Sequence, residues 1–205
     1  MPTLLSKGES QRKRRLQRKM ARQVKGSNRR NRTKRQIAII SARERDRRKD
    51  WIEKTTTDLV RRYDIICIED LKIKNMSRSA KGTTACPGKN VRQKAGLNRS
   101  ISSQAWGLFQ QRLTDKARFA TTRSEVVVVN PAFTSQTCAV CGYTDKKNRQ
   151  SQAVFLCQSC GHTANADMNA AINIYAAGLA VTGRQGTSHA FKHSDPTKRQ
   201  PPEAA

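Results

Sequence analysis

The chain has 205 residues, 36% of them apolar and 5% aromatic, and a formal net charge of +26 at pH 7. This length suits one medium-sized domain or a smaller domain with appendages, and so few aromatic residues predict a modest core. The charge would oppose compaction unless a polyanion neutralised it, so we expect nucleic acid as the partner and no membrane. The basic stretches lack large apolar residues on an opposite face, and no apolar run is long enough to span a bilayer.

Positive charge is concentrated at the N-terminus, where residues 1–50 hold nineteen Lys or Arg and four Asp or Glu. Such a run is either a solvated helix face or a surface that contacts phosphates, and its density favours phosphate contact. Contacts of this kind position a protein on nucleic acid without reading the base sequence. The residues expected to make them are Arg12, Lys13, Arg14, Arg15, Arg18, Lys19, Arg29, Arg30, Arg32, Lys34 and Arg35.

Two antiparallel helices are predicted in this basic region. Apolar residues recur at helical spacing over residues 11–24, Gly26 interrupts the pattern, and a second helix is expected over about residues 30–62. The basic face of this hairpin would be free for phosphates. The apolar stripe of the second helix is expected at Ile37, Ile40, Trp51, Thr55, Leu59 and Val60.

The next predicted element is a β-strand over residues 65–68, whose continuous apolar run is typical of a strand covered on both faces. Glu69 and Asp70 follow at its carboxyl end, the edge of an open α/β sheet where ligands and catalytic groups bind. The local sequence leaves two interpretations open, a functional acid or a solubilising strand end. Residues 72–98 lack periodicity, so we expect a basic loop that is mobile without its partner.

A helix that begins at Ser100 or Ser102 is predicted to run to about Ala120. A second buried strand is predicted over residues 126–129, closed by Asn130-Pro131. Cys67 and Cys86 have no partner at a metal-ligand spacing, so both are expected to be free thiols. Beyond residue 182, the Gly, Ser, Pro and Lys content predicts a disordered tail.

Four cysteines, Cys138, Cys141, Cys157 and Cys160, form two C-x2-C pairs separated by a fifteen-residue spacer. This spacing is typical of a zinc ribbon, in which four thiolates fill a tetrahedral shell and leave no position for water. A structural Zn2+ is therefore predicted. No secretory signal is recognised, so a reducing cytoplasm is expected and two disulfides are disfavoured. His162 could replace one sulfur, although four sulfurs already suffice.

A helix is predicted directly after the ribbon. Asn165 is its expected N-cap, and Asp167 lies in the first turn, where the helix dipole favours an anion. From the local sequence alone, helix capping is the favoured role of Asp167. A short strand-like run over residues 152–156 suits a hairpin that returns the chain to the second cysteine pair.

Four segments, IICIEDL, NRSI, VVVVNPAFTSQTCAVCG and CGHTANADMNAAINI, resemble the C-terminal half of the TnpB family. These are OrfB-type proteins of insertion sequences, described as transposases and related to type V CRISPR effector nucleases. The resemblance covers about residues 10–180. It implies a RuvC-like nuclease centre of the RNase H fold, in which Glu69 and Asp167 match the second and third acids.

The chemistry implied by the resemblance is phosphodiester hydrolysis with two Mg2+ held among three carboxylates, and the partners implied are DNA and a guide RNA. The acid that usually ends the first strand is absent here, since Glu9 is the only acid before Glu44 and no apolar strand surrounds it. Mg2+ binding is therefore doubtful, and cleavage by the chain alone is not expected. A second departure is Glu53, where the family usually has His.

The predicted fold is α/β, a partial RNase H-like (RuvC) fold that lacks the first strands, with an N-terminal basic helical hairpin and an inserted zinc ribbon. Its two parallel strands would leave an unpaired edge, so a missing N-terminal half or a dimer partner is expected to cover it. The predicted segments are the hairpin (1–62), a RuvC-like strand–loop–helix–strand (63–130), the ribbon (131–163), a closing helix (164–181) and the tail (182–205).

Two functional hypotheses follow. The first is a truncated, transposon-encoded TnpB-type protein that binds DNA and RNA, is related to RNA-guided DNA endonucleases and is cleavage-deficient alone. The second is a non-catalytic zinc-ribbon regulator or remnant. A ribosomal or transcription accessory protein would explain the charge and the cysteines but not the two acids. A cytoplasmic, nucleoid-associated location is expected.

Overall fold

A computed structural model describes residues 3–121 and 124–183, so the tail predicted beyond residue 182 lies almost wholly outside the described residues. The helices and strands are α1 (Lys7–Arg22), α2 (Asn28–Arg62), β1 (Ile65–Glu69), α3 (Ile73–Met76), α4 (Val91–Gln104), α5 (Trp106–Phe119), β2 (Glu125–Val129), β3 (Val154–Leu156), β4 (Thr163–Asn165) and α6 (Ala166–Thr182).

The chain divides into two compact units. Among the described residues, unit 1 comprises residues 3–66, 71–121 and 124–126, and unit 2 comprises residues 67–70 and 127–183. The five segments proposed from the sequence stay a prediction. Within residues 3–121 and 124–183, no helix combines the length and apolar character that crossing a membrane requires.

The basic hairpin of unit 1 is confirmed. Arg47, in the second half of α2, donates to Glu9 in the first turn of α1 at 2.6 Å, as antiparallel helices require. Helix α1 begins earlier than predicted because Ser6 and Glu9 form a capping box, in which each side chain accepts the backbone N–H of the other. The hydrogen bond from Arg47 also lowers the pKa of Glu9 to about 2.

The apolar stripe of α2 was predicted in the wrong phase over residues 51–59, whereas Val60 is buried as predicted. Ile52 and Thr56 are the fully buried residues there, whereas Trp51 is half-buried and stacks on Phe109 with ring centroids 6.0 Å apart. Thr56 can be buried because its hydroxyl donates to the carbonyl of Ile52 at 2.7 Å and accepts from Lys116 at 3.0 Å.

Glu53 joins α2 to α5. Its carboxylate accepts from the Arg112 guanidinium at 2.6 Å and contacts the Lys116 ammonium at 2.8 Å. The hydrogen bonds from Arg112 and Lys116 lower the pKa of Glu53 to about 2. The acid at this position is therefore matched by two basic residues of α5.

The region between the two predicted strands differs from its prediction. The expected loop over residues 72–98 contains α3 and the first half of α4, and the single helix expected up to Ala120 is two helices. The chain breaks at Ala105, whose φ of +52° is left-handed. Helix α4 is fixed by polar contacts, since Lys94 donates to the carbonyl of Met76 and Asn98 to that of Ser77, both at 2.7 Å. Such contacts leave no apolar periodicity in the sequence.

Strands β1 and β2 pair in a two-stranded sheet, as predicted. The N–H of Glu125 donates to the carbonyl of Asp64 at 2.7 Å, and that of Asp70 donates to the carbonyl of Val129 at 2.8 Å. Because both residue numbers rise together, the strands are parallel. The expectation that β1 is covered on both faces is wrong, since all five of its residues are only partly buried.

Within unit 2, α6 lies close to β1 at Gly178. A Cβ atom added to Gly178 would lie 2.2 Å from Cys67 Sγ and 3.0 Å from Cys67 Cβ. Real Cβ atoms do not come this close to a sulfur, so any larger residue here would force Cys67 or the helix to shift.

We therefore expect Gly178→Ala to destabilise unit 2. Overpacking costs about 1–3 kcal/mol, and the gain of about 1 kcal/mol from helix propensity offsets only part of it. The measurement is denaturant unfolding of the single variant and of Cys67→Ala/Gly178→Ala, in which removal of the sulfur should restore part of the stability. If Gly178→Ala is as stable as the wild type, the close approach of α6 to Cys67 is contradicted.

The remainder of unit 2 is built around the cysteine pairs. Strands β3 and β4 form an antiparallel hairpin on either side of the second pair, in which Phe155 lies opposite Ala164. Phe155 is fully buried and packs with Cys138, Cys157 and Ala166. The strand predicted over residues 152–156 is confirmed as β3, and its partner β4 was not predicted.

Candidate metal centre and carboxylate cleft

The sulfurs of Cys138, Cys141, Cys157 and Cys160 all lie within 4.8 Å of one another. Two of their separations are 3.8 Å, between Cys138 and Cys160, and 3.6 Å, between Cys141 and Cys157. A tetrahedral Zn2+ with Zn–S bonds of about 2.3 Å places its sulfurs roughly 3.8 Å apart, whereas a disulfide joins them at about 2.05 Å. The four thiols therefore fit a metal ion such as zinc.

Tight turns aim both sulfurs of each pair at one point. The N–H of Gly142 donates to the carbonyl of Cys138 at 2.9 Å, and that of Gly161 donates to the carbonyl of Cys157 at 3.1 Å. Both glycines have a left-handed φ, +76° and +71°, which side chains strongly disfavour. Each C-x2-C-G segment is thus a preformed knuckle.

The surroundings of Cys157 and Cys141 shift the pKa values of the two thiols in opposite directions. The backbone N–H of Cys160, with that of Ser159, lowers the pKa of Cys157 to about 6. The pKa of Cys141 rises to about 12, because the hydrogen bond from Tyr143 that lowers it is outweighed by desolvation and the neighbouring thiols. Four thiolates this close would repel one another, so a cation among them would stabilise the fully ionised set.

His162 does not belong to the close set of ligand atoms in the described parts of the chain, which consists of the four sulfurs. Its backbone carbonyl accepts from the N–H of Cys157 at 2.9 Å. The hairpin turn thus uses the main chain of His162.

Sequence reasoning missed Asn148, which links the two knuckles. Its side chain is fully buried, donates to the carbonyls of Gln136 at 2.8 Å and Tyr143 at 3.1 Å, and accepts from the N–H of Gln158 at 2.9 Å. A buried amide that satisfies three backbone groups fixes the ribbon as one piece. An asparagine in a polar spacer carries no sequence signal for this role.

The two acids implied by the family resemblance lie together. Glu69, at the end of β1, and Asp167, in the first turn of α6, line one open cleft of about 450 Å3 in unit 2. Arg149, Thr134 and Ser135 line the same cleft. The structure therefore brings two carboxylates, one guanidinium and two hydroxyls to one place.

Glu69 is held by the loop that follows β2. The Thr134 hydroxyl donates to Glu69 Oε1 at 2.8 Å. Helix α6 fixes this loop, since Asn173 donates to the carbonyls of Thr134 and Thr137 at 2.9 and 2.7 Å. The buried Asn169 also donates to Thr137, at 2.7 Å. The helix that bears Asp167 therefore also positions the partner of Glu69.

The carboxylate of Asp167 is not used for capping. Asn165 is the N-cap, as predicted, and its side-chain oxygen accepts the N–H groups of Asp167 and Met168 at 2.9 and 3.2 Å. The Asp167 carboxylate is 84% exposed and lies 3.3 Å from an Arg149 nitrogen. Sequence reasoning missed Arg149, because nothing in its local spacing distinguishes it from other surface arginines.

The eleven basic residues of the hairpin fall into two groups. Lys13 and Arg30 are partly buried and have partners within the protein: Lys13 lies 2.6 Å from Glu44, and Arg30 donates to the carbonyls of Met20 and Gln23 at the end of α1. The other nine are exposed, namely Arg12, Arg14, Arg15, Arg18, Lys19, Arg29, Arg32, Lys34 and Arg35.

These features define a basic, mixed helix–strand protein with a four-cysteine metal-binding motif. Residues 5–80 match the OrfB family described as "Probable transposase", and residues 106–174 match the family described as "Cas12f1-like, TNB domain". The chain belongs to the TnpB/OrfB family of insertion-sequence proteins.

The chain is 45% identical over 189 residues to the Escherichia coli (strain K12) protein "Putative RNA-guided DNA endonuclease InsQ". The matched region covers 92% of this chain and 46% of that protein. It is 34% identical over 167 residues to a "Putative RNA-guided DNA endonuclease" of Streptomyces pristinaespiralis, covering 81% of this chain and 37% of that protein. A solved Cas12f1–sgRNA–target DNA complex matches with a TM-score of 0.48 and 22% identity, over 78% of this chain and 40% of that chain.

The chain thus spans less than half the length of these two curated relatives. It is a partial-length relative of transposon-associated RNA-guided endonucleases.

Proposed function

We propose that this chain supplies two carboxylates, Glu69 and Asp167, and a zinc ribbon to a RuvC-like centre that cleaves DNA under the guidance of RNA. One observation carries the proposal: two acids far apart in sequence, at the end of a parallel strand and at the start of α6, line the same open cleft. Ligands bind at this edge of α/β sheets.

The residues of the cleft fit a hard divalent cation. Carboxylates and hydroxyls offer the oxygen ligands that Mg2+ prefers, and the exposed Asp167 carboxylate is accessible to an ion. Glu69 and Asp167 would hold the Mg2+, whose chemistry when bound would be Lewis-acid activation of water and stabilisation of charge on a phosphate. Thr134 would keep the Glu69 carboxylate oriented toward the cleft.

Arg149 has two roles in this proposal. Without a cation, its guanidinium balances the charge of Asp167 at 3.3 Å. With nucleic acid in the cleft, the same guanidinium would donate to a phosphate oxygen, a contact that the planar fork of arginine favours.

The two carboxylates are expected to be insufficient alone. Within the described ranges, Glu69 and Asp167 are the only acids that line the cleft, and a pair of Mg2+ ions needs further oxygen ligands. We therefore infer that this chain alone binds Mg2+ weakly and cleaves DNA poorly.

The zinc ribbon has a structural role in this proposal. Four thiolates complete a tetrahedral Zn2+ shell, so no position is open for water or substrate. The ribbon instead holds Arg149 and fixes the start of α6. The nine exposed basic residues of the hairpin would contact DNA or guide RNA, which would also place the protein at the nucleoid.

The test is Mn2+ binding to the zinc-loaded chain, followed by electron paramagnetic resonance of free Mn2+. We expect weak binding that falls in Glu69→Gln and in Asp167→Asn, because each substitution removes one charged ligand. Asp50→Asn, which alters an exposed acid of α2, is the matched control and should leave binding unchanged. If both cleft variants bind Mn2+ like the wild type, the chain keeps only a non-catalytic, nucleic-acid-binding role.

A further inference from the structure

Phe133 is an exposed aromatic residue in an unfavourable backbone conformation. Its side chain is 62% exposed and its φ is +64°. A bulky residue rarely adopts a left-handed φ, and such conformations persist where the surroundings enforce them, often at functional sites. Because so much of the ring is in solvent, packing alone does not account for the phenylalanine.

The loop that carries Phe133 is held from both sides. The N–H of Ala132 donates to the Asn130 side chain at 3.0 Å. The carbonyl of Phe133 accepts the N–H groups of Gln136 and Thr137 at 2.8 and 3.0 Å, and the Thr137 hydroxyl at 3.0 Å. The ring is therefore presented to solvent from a fixed turn.

This turn borders the carboxylate cleft. Pro131 and Thr134, on either side of Phe133 in the chain, both line the cleft. Thr134 is also the residue that donates to Glu69. A strand that placed a phosphate between Glu69 and Asp167 would bring its neighbouring nucleotides close to this turn.

We propose that Phe133 is a stacking platform for an unpaired nucleobase of the strand held at the cleft. The inference rests on the proposed function, since the cleft is what brings the strand to the ring. Aromatic side chains stack on bases of any sequence, because every base has a π-face. The carboxylates and Arg149 position the backbone, and the phenylalanine would hold the adjacent base out of a helical stack.

The first test exploits the backbone strain. Phe133→Gly removes the ring and accepts the left-handed φ without cost, so its melting temperature should equal or exceed that of the wild type. Its affinity for a single-stranded oligonucleotide, measured on the zinc-loaded chain without added Mg2+ or Mn2+, should fall about tenfold. Phe133→Trp keeps a stacking surface and should stay close to the wild type. A lower melting temperature with unchanged affinity would overturn the proposal and make Phe133 a structural residue.

The second test locates the contact. Oligonucleotides that carry one 5-iodouracil, as DNA and as RNA, are photocrosslinked to the wild-type chain, and the attached residue is identified by mass spectrometry. Attachment at Phe133 is expected, and comparison of the two probes shows which strand occupies the platform. Attachment only at other residues, or no binding of either probe, would overturn the proposal.

The carboxylate centre and the stacking role of Phe133 can be tested independently of each other. Glu69→Gln and Asp167→Asn, in the zinc-loaded chain without added Mg2+ or Mn2+, should keep the crosslink at Phe133, because stacking needs no cation in the cleft. Loss of Mn2+ binding with a retained crosslink would support both ideas. If the crosslink is retained but neither substitution changes Mn2+ binding, the stacking role of Phe133 is supported and the carboxylate centre is refuted.

Discussion

Removal of the metal from the four-cysteine site is expected to unfold the ribbon of unit 2. Cys138 and Cys157 belong to its buried cluster with Phe155 and Ala166, so two of the sulfurs are themselves part of the core. Structural zinc sites contribute on the order of 10–16 kcal/mol to folding in zinc-finger peptides. Few single contacts in a protein of this size approach that value.

The measurement is metal content together with circular dichroism and NMR dispersion, before and after treatment with a strong chelator. We expect one Zn2+ per chain, and loss of ribbon signals once it is removed or once Cys138 is replaced by Ser. Cys86→Ser is the matched control, because Cys86 is exposed and lies outside the cluster. A Cys138→Ser chain that still holds one Zn2+ and melts like the wild type would contradict a four-sulfur site.

Replacement of exposed basic residues of α1 by Gln is expected to weaken DNA binding by orders of magnitude and to flatten its salt dependence. Each phosphate contact that is lost should reduce the slope of log K against log salt concentration by about 0.9. The measurement is fluorescence anisotropy with duplex DNA over a range of salt concentrations. The variant carries Arg12→Gln, Arg14→Gln, Arg15→Gln, Arg18→Gln and Lys19→Gln.

The control for this variant is Lys13→Gln. Lys13 is partly buried and paired with Glu44 at 2.6 Å, so it is not available to a phosphate. Its replacement should lower thermal stability and leave the salt slope unchanged. Equal slopes for the wild type and the five-residue variant would show that α1 is a solvated helix with no part in binding.

The sequence predicted features that depend on local chemistry. The spacing of Cys138, Cys141, Cys157 and Cys160 predicted a four-sulfur site, and the close packing of the sulfurs agrees. The N-cap at Asn165 and the parallel pairing of β1 with β2 are likewise confirmed. In each case, neighbours in the chain or strong apolar patterning determine the structure.

Features that depend on long-range polar contacts were missed. Helix α4 is anchored by Lys94 and Asn98, whose acceptors lie about twenty residues earlier in the chain. Arg149 reaches Asp167 only once the ribbon has folded, and the partner of Glu69 is a threonine of another loop. Hydrophobic periodicity contains no information about such contacts. The family resemblance pointed to Glu69 and Asp167, whereas the local sequence left the role of Glu69 open and favoured helix capping for Asp167.

The central claim is that Glu69 and Asp167 hold one divalent cation. Fe2+ bound in place of Mg2+ in the zinc-loaded chain, with ascorbate and peroxide, releases hydroxyl radicals that cut the polypeptide near the ion. We predict cuts beside both residue 69 and residue 167, suppressed by excess Mg2+ and absent from Glu69→Gln/Asp167→Asn. Cuts that fall beside only one of these positions, or that persist in the double variant, would contradict a shared cation site.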